Sequence, residues 1–271
     1  HPHGVAPMRE MPGAAAPVPA RPAATVLVLR DGPEGLEVFM VVRHHQIDFA
    51  SGALVFPGGR VEEGDHAIAA ALPGEDPLNP FRVAAIREAF EECGLLLARH
   101  EDGTPLPHDR AEAITAAHQA AVNAGTLSFA ALLRAERLLP DLAALAHFAH
   151  WITPSDLPKR FDTHFFLAPA PPGHAGTHDG QEAVESLWIR PPLAVAEAEA
   201  GRRTLVFATR LNLERLARFA DAAAAFAAAA ATPVVTVQPE VEKAADGALR
   251  MRIPVEAGYG GPLFPLGRRA M

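Results

Sequence analysis

From residue 79 to residue 95 the chain reads NPFRVAAIREAFEECGL. Asn79 can cap the free amide groups at the start of a helix, and Pro80 is tolerated in a first helical turn because its missing N–H is not needed there. Gly94 suits the left-handed conformation that commonly ends a helix. We therefore predict a helix from about Pro80 to Cys93.

The predicted helix has two different faces. Apolar residues spaced i, i+3, i+4 and i+7 predict a buried stripe, namely Ile86, Ala89, Phe90 and Cys93. Three glutamates spaced i, i+3 and i+4 share the opposite side, namely Glu88, Glu91 and Glu92. Like charges so close repel one another, and a hard divalent cation such as Mg²⁺ or Mn²⁺ would compensate, since it prefers carboxylate oxygens. For the glutamates taken alone, a solvated acidic surface is the alternative.

A glycine-rich segment upstream favours the metal site over the solvated surface. Residues 56–65 read FPGGRVEEGD, and Gly58 and Gly59 would let the backbone approach a phosphate closely. The combination of this segment with the three glutamates is far more specific than either pattern alone.

Together the two segments resemble the Nudix box, the signature of the Nudix hydrolase family. Arg87-Glu88, an apolar residue, any residue, Glu91-Glu92, any residue, glycine and an apolar residue match its core. Gly59 followed by Asp65 is similar to its opening, although the family usually has Glu where this chain has Asp. An insertion at residues 66–79 interrupts the box. It contains Pro-Gly and Asp-Pro pairs, so we predict a loop ahead of a restarted helix.

The interrupted box resembles one Nudix branch, the peroxisomal coenzyme A diphosphatase type and its bacterial relatives. The segments at residues 151–154 and 160–163 are also similar to that branch. The resemblance implies an α/β fold of the α+β type, an α/β/α sandwich with a mixed β-sheet and extra helices. It also implies an enzyme that cuts a diphosphate linkage and holds Mg²⁺ or Mn²⁺ on Glu88, Glu91 and Glu92.

The implied substrate is coenzyme A or acyl-coenzyme A, which would give 3′,5′-ADP and (acyl-)phosphopantetheine. Another nucleotide, such as NADH, ADP-ribose, FAD or a capped RNA end, is the first alternative. A Nudix-fold module that binds a nucleotide without catalysis is the second, because a fold does not determine a function. Three intact glutamates argue against this last hypothesis.

Further site residues are predicted with less specific patterns. Arg87 is expected to hold the glycine-rich segment by pairing with Asp65 or Glu62. The general base is expected to be a box glutamate, Glu182 or Glu185, and the offset from Trp188 favours Glu182. Planar guanidinium groups suit phosphate oxygens, which makes three arginines candidates for substrate binding: Arg43, Arg60 and Arg160.

Two histidines in a predicted strand at 147–152 are not expected to share a metal site. His147 and His150 are three residues apart, and side chains at that spacing point to opposite faces of a regular strand.

Composition limits the partners and the location. The net charge is −8, so extended nucleic acid is not an expected partner. Cys93 is the only cysteine, which excludes an internal disulfide and a cysteine-rich zinc cluster and fits a reducing, cytoplasmic location. No apolar run has the length of a membrane helix.

The remaining predictions concern chain organisation. Residues 1–22 are rich in Pro, Ala and Gly and are expected to form a flexible N-terminal segment, with a native start at Met8 or Met11. Residues 23–271 are expected to form a single Nudix domain that opens with a hairpin of strands 24–30 and 37–43. A long alanine-rich helix at 209–230 would contribute to the core or to a homodimer contact.

Overall fold

A computed structural model describes residues 16–43, 52–172, 174–176 and 183–266. The strands in these residues are β1 (Arg21–Gly32), β2 (Gly35–Arg43), β3 (Leu54–Val55), β4 (Gly58–Arg60), β5 (Ala98–His100), β6 (Leu138–Pro140), β7 (Ala146–Ile152), β8 (Phe161–Pro169), β9 (Ala183–Ile189), β10 (Thr236–Val237), β11 (Glu240–Lys243), β12 (Leu249–Arg252) and β13 (Leu263–Pro265). The helices are α1 (Glu63–Ala71), α2 (Asn79–Cys93), α3 (His108–Asn123), α4 (Phe129–Ala135), α5 (Pro191–Glu199), α6 (Phe207–Leu216) and α7 (Ala222–Ala231).

The main sheet is mixed, as predicted, and β1 lies at its centre. Its strand order is β10-β7-β8-β1-β2-β3, with β4 on β1 and β9 on β2. β1 pairs in parallel with β8 and forms the predicted antiparallel hairpin with β2, but only from Leu29 to Gly32. Nearer its start β1 pairs instead with β4, where Ala24 is opposite Gly59. The glycine-rich segment is therefore held along the central strand.

Helices cover both faces of this sheet, which confirms the α/β/α sandwich. On one face, small residues of α2 such as Ala85 and Ala89 pack against Val26 of β1. On the other face, apolar residues of α5, α6 and α7 pack against β1, β2 and β7. Helices α3 and α4 lie outside α2, so Ile86 and Phe90 pack against them rather than against the sheet.

Helix α2 follows its predicted bounds closely, but the predicted cap is wrong: Leu78 occupies the N-cap position, and Asn79 is the first residue of the helix. It ends at Gly94, which has a φ of 68° in the left-handed region, and the Gly94 amide donates to the carbonyl oxygen of Phe90 at 3.1 Å. All four residues of the predicted apolar stripe are fully buried. Asn123 of α3 donates from Nδ2 to the carbonyl oxygen of Glu91 at 3.0 Å, which satisfies a free carbonyl in the last turn.

The insertion at residues 66–79 was wrongly predicted to be a loop throughout. Helix α1 extends through its first part, and only the segment from Leu72 to Leu78 is irregular. The Asp65 side chain accepts a hydrogen bond from the Glu62 amide at 2.8 Å and so caps the start of α1. Four alanines between residues 67 and 71 then favour the helix, because alanine has the highest helix propensity.

The single long helix predicted at 209–230 was also wrong, because two helices occupy this region. α6 ends at Leu216, and α7 begins after Asp221, whose side chain accepts a hydrogen bond from the amide of Ala224 at 2.8 Å. An aspartate in this position starts a new helix instead of continuing the old one. Ala225 and Ala229 then pack into the core.

The two histidines of β7 lie on one face of the sheet, contrary to the sequence prediction. The pairing of β7 with β8 shifts register between His147 and Ala149, which inserts an extra residue into β7. His147 and His150 therefore both contact His164 of β8.

Across the described ranges, no helix combines the length and the apolar character that crossing a membrane would require.

Candidate active site

The centre of the candidate site is the buried guanidinium group of Arg87. Its Nε donates to Asp65 Oδ1 at 2.9 Å and its Nη2 to Asp65 Oδ2 at 3.0 Å, which is a bidentate ion pair. The predicted pairing with Asp65 is thereby confirmed. The other predicted partner, Glu62, has a largely exposed side chain 3.7 Å from Arg87 Nε. The buried pair fixes the start of α1 against the middle of α2.

The same guanidinium also orients the box glutamates and the glycine-rich segment. Nη1 donates to Glu88 Oε1 at 3.0 Å and to Glu91 Oε2 at 3.1 Å. Nη2 donates to the carbonyl oxygen of Arg60 at 3.1 Å, at the end of β4. Arg87 thus joins the end of β4, the start of α1 and the middle of α2.

The glutamates are partly or wholly withdrawn from solvent, which contradicts the alternative of a solvated acidic surface. Only 7% of Glu88 is exposed. Burial raises the pKa of Glu88, although the charge of Arg87 opposes this shift. Burial and the neighbouring Glu88 raise the pKa of Glu91 to about 7. Glu92 is a hydrogen-bond partner of Glu88. Two carboxyl groups in contact need a proton or a cation between them.

The two glycines are required by close contacts. A Cβ atom at Gly59 would overlap the Glu88 carboxylate, and one at Gly58 would lie 2.7 Å from the carbonyl oxygen of Ala24. Any side chain at Gly59 would therefore compete for the space that the Glu88 carboxylate occupies.

These residues lie in an open cleft of about 1140 Å³. Its wall contains the predicted residues Gly58, Gly59, Arg43, Arg60, Arg87, Glu88, Glu91 and Glu92. Two cations that the sequence reasoning missed, Arg21 and Lys159, also line it, together with an apolar wall that includes Phe161, Phe165 and Phe207. No motif distinguishes Arg21 or Lys159 from a surface cation, so only the folded structure places them here.

Three predicted residues stand apart from this arrangement. Arg160 is buried and donates to the backbone oxygens of Thr153, Pro154 and Val18, so it holds the turn before β8 and does not line the cleft. These hydrogen bonds use the guanidinium group of Arg160, which was predicted to bind a phosphate. Glu185 pairs with Arg203 at 3.3 Å and is half exposed. Glu182 lies outside the described residues.

Comparisons with known proteins identify the family to which the chain is similar. A family model described as the NUDT19 Nudix domain matches residues 66–205. An acyl-coenzyme A diphosphatase NUDT19 from Gallus gallus is 28% identical over 243 residues, covering 70% of this chain and 63% of that protein. The protein of the same name from Homo sapiens is 31% identical over 152 residues, covering 52% of this chain and 40% of its own length. The chain therefore spans less than two thirds of these relatives.

A solved structure is also similar over most of the fold. The crystal structure of a NUDIX hydrolase from Alicyclobacillus acidocaldarius superposes with a TM-score of 0.62 and 31% sequence identity. The match covers 77% of this chain and 96% of that chain.

The ion pair between Arg87 and Asp65 gives a first prediction. The change Asp65→Asn should lower the free energy of unfolding by about 3 kcal/mol, because it leaves a buried guanidinium without its bidentate partner. The change Glu62→Gln is the matched control, since it removes a second carboxylate near Arg87 that is mostly exposed, and should cost less than about 1 kcal/mol. Urea unfolding measures both, and equal losses would contradict the assigned role of Asp65.

The raised pKa of Glu91 gives a second prediction, for protein freed of metal with a chelator. A carboxylate whose pKa is raised to about 7 by folding contributes stability at low pH, and this contribution is lost as the pH rises through that value. The free energy of unfolding should therefore fall between about pH 5 and about pH 8, and Glu91→Gln should reduce the fall. Glu256→Gln, at an exposed position after β12, is the control and should leave the fall unchanged. A fall that persists in full in Glu91→Gln would disprove this origin.

Proposed function

Since the chain belongs to the Nudix hydrolase family, in the branch of the NUDT19 Nudix domain, we propose that it hydrolyses the diphosphate linkage of coenzyme A or acyl-coenzyme A. The products would be 3′,5′-ADP and (acyl-)phosphopantetheine. The names of the chicken and human relatives support the substrate class. The observation that carries the proposal is the gathering of three glutamates beside Gly59 in a cleft that also contains basic side chains.

The glutamates suit a divalent cation, Mg²⁺ or Mn²⁺, which Glu88, Glu91 and Glu92 would hold. Glu88 and Glu91 both accept hydrogen bonds from Arg87, and Glu88 also contacts Glu92, so three carboxylates carry more negative charge than the one guanidinium neutralises. Carboxylate oxygens are also the ligands that these hard ions prefer. A bound ion would neutralise charge on the diphosphate and make water at the reacting phosphorus more acidic.

The protein's own residues would position the substrate. Arg87 keeps Glu88 and Glu91 in a fixed orientation, so the carboxylates do not reorganise when the substrate binds. The absence of side chains at Gly58 and Gly59 leaves room for the diphosphate. Arg43 and Arg60 would contact phosphate oxygens.

The wider cleft suits the rest of a coenzyme A molecule. Lys159 and Arg21 add positive charge to the wall of the cleft, and a phosphorylated ribose would be attracted there. Phe161, Phe165 and Phe207 offer apolar surface to an adenine ring or an acyl chain.

Glu182 is our preferred general base, which would take a proton from the attacking water. Glu185 is less suited to this role, because its carboxylate pairs with Arg203.

The rest of the proposal follows the sequence predictions: residues 23–271 form one domain, the protein acts in the cytoplasm, and a homodimer is one form it adopts.

A substrate panel tests the reaction. The protein is incubated with coenzyme A, an acyl-coenzyme A, NADH, ADP-ribose, FAD and diadenosine tetraphosphate, in Mg²⁺ and in Mn²⁺, and the products are separated by chromatography. We expect 3′,5′-ADP from the coenzyme A substrates. The variant Glu92→Gln should lose roughly 100-fold or more in kcat, because it removes a carboxylate that would hold the metal ion, while circular dichroism stays unchanged.

The panel also separates the alternatives. Turnover of another nucleotide without turnover of coenzyme A would replace the proposed substrate. Nucleotide binding without any turnover, unchanged in Glu92→Gln, would favour the non-catalytic module.

A pair of variants tests the general base. Glu182→Gln should lower kcat by about 100-fold or more and remove the acidic limb of the pH–rate profile, because a general base must be ionised to act. Glu185→Gln, three residues away on the same segment, should keep kcat within about twofold of the parent. The reverse result would transfer the role to Glu185, and two unaffected variants would return it to a box glutamate.

A further inference from the structure

The cleft has a charged end and an apolar end. In the part of the chain that the structure describes, every charged residue of the cleft wall except Lys159 precedes Cys93 in the sequence. Strands β7 and β8, helix α6 and strand β12 contribute uncharged side chains, which include Trp151, Phe207 and Met251. The diphosphate is proposed to bind at the charged end, beside the glutamates. The apolar end is therefore left for a different part of the substrate.

The register of the main sheet shows how far apart the two ends are. Arg60 of β4 is the Cα partner of Ala23 of β1, which is in turn the partner of Thr163 of β8. Thr163 is the partner of Trp151 of β7. All four residues line the cleft. Neighbouring strands are about 4.8 Å apart, so three steps separate Trp151 from the glycine-rich segment by roughly 14 Å.

Aromatic rings form a fixed wall at the apolar end. The ring of Phe207 meets Trp151 edge-on, with centroids 5.8 Å apart, and it meets Phe264 edge-on at 5.7 Å. Trp151 Nε1 donates to the hydroxyl oxygen of Tyr259 at 3.0 Å, and that hydroxyl donates to Asn212 Oδ1 at 2.7 Å. The N–H group of the indole is therefore satisfied inside the protein, and Trp151 presents apolar surface to the cleft.

The small sheet of β11, β12 and β13 bounds the apolar end. Val237 of β10 pairs with Trp151, and the chain continues through Pro239, which lines the cleft, into β11. Met251 of the middle strand β12 also lines the cleft, although only 4% of it is exposed. Its Cα partner on β13 is Phe264, whose ring contacts the aromatic wall. An unbranched thioether here gives the apolar space an adaptable end.

We propose that the apolar end binds the acyl group of an acyl-coenzyme A substrate, and that Met251 limits the length of the acyl chain accepted there. This inference rests on the proposed function, because it assigns one part of that substrate to one part of the cleft. The acyl group of acyl-coenzyme A is at the opposite end of the pantetheine arm from the diphosphate. A charged site and an apolar site that are several strands apart match this arrangement.

An adenine ring is the competing occupant of the apolar end. Its ring nitrogens and amino group need hydrogen-bond partners when they leave water. The indole N–H of Trp151 is already engaged with Tyr259 and offers adenine no donor. An acyl chain needs no such partner, and it is stabilised by burying methylene groups against Phe207 and Met251.

The affinity for S-acyl 4′-phosphopantetheines tests the proposal without turnover, because these molecules contain the acyl group but no diphosphate linkage. Isothermal titration calorimetry of the full chain compares 4′-phosphopantetheine with derivatives whose acyl chains lengthen from acetyl to palmitoyl. The affinity of the parent protein should rise with chain length up to a limit and then stop rising. The change Met251→Ala shortens the side chain by about three atoms, so the limit should move to longer chains. Affinity for the first chain beyond the parent's limit should rise about tenfold or more.

Two further variants guard against misleading results. Leu249→Ala is the matched control, because it also truncates an apolar side chain of β12, but at a position that is 47% exposed and does not line the cleft. It should keep the parent's dependence on chain length. Phe207→Leu replaces a half-buried ring with another apolar side chain and should weaken the binding of acylated probes by about tenfold relative to 4′-phosphopantetheine. It serves as the test if Met251→Ala does not fold.

The proposal is overturned if no acylated probe binds more tightly than 4′-phosphopantetheine, or if Met251→Ala and Leu249→Ala give the same dependence on chain length. It is also overturned if Met251→Ala weakens the binding of 3′,5′-ADP and leaves the acyl dependence unchanged, since the adenine ring would then occupy the apolar end. Failure of the proposed hydrolysis would appear as missing 3′,5′-ADP in the substrate panel. The two failures are therefore distinguishable.

Discussion

The bidentate ion pair between Arg87 and Asp65 is the interaction on which the rest of the site depends. It is buried, and it spans an insertion that separates its two partners in the sequence. A buried pair of this kind is costly to desolvate, and it persists only when its remaining hydrogen-bonding capacity is also used. Here the remaining N–H groups of Arg87 donate hydrogen bonds to Glu88, to Glu91 and to the backbone of β4. One guanidinium therefore determines the position of the carboxylates and of the glycine-rich segment.

The glutamates illustrate how a site can be held in an unfavourable state by its scaffold. Burial and mutual repulsion both oppose the ionisation of these glutamates. Helix α2 nevertheless stays in place, because its apolar residues pack into two separate hydrophobic cores. Natural proteins depart from the rules of stability chiefly at functional sites. The crowded carboxylates are such a departure, and they support a role that needs charge rather than a role in stability.

Local patterns predicted the parts of the fold that local physics controls. Helix α2 and its end at Gly94 followed from spacing and residue type, and the sequence limited the partner of Arg87 to Asp65 or Glu62. The errors came from context. The capping aspartates Asp65 and Asp221 start helices that periodicity alone did not reveal. The extra residue in β7 reverses the facing of His150, and a bulge has no sequence signature in this strand. Lys159 reaches the cleft only through folding.

The irregular segment from Leu72 to Leu78 has a consequence for how this chain can change over evolutionary time. The ion pair between Asp65 of α1 and Arg87 of α2 holds the two ends of this segment close together. The residues of the segment itself are not needed to bring its ends together. The entropic cost of closing a loop rises only with the logarithm of the loop length. Lengthening or shortening this segment should therefore cost little stability. Insertions here can add new binding surface during evolution without displacing the neighbouring glutamates.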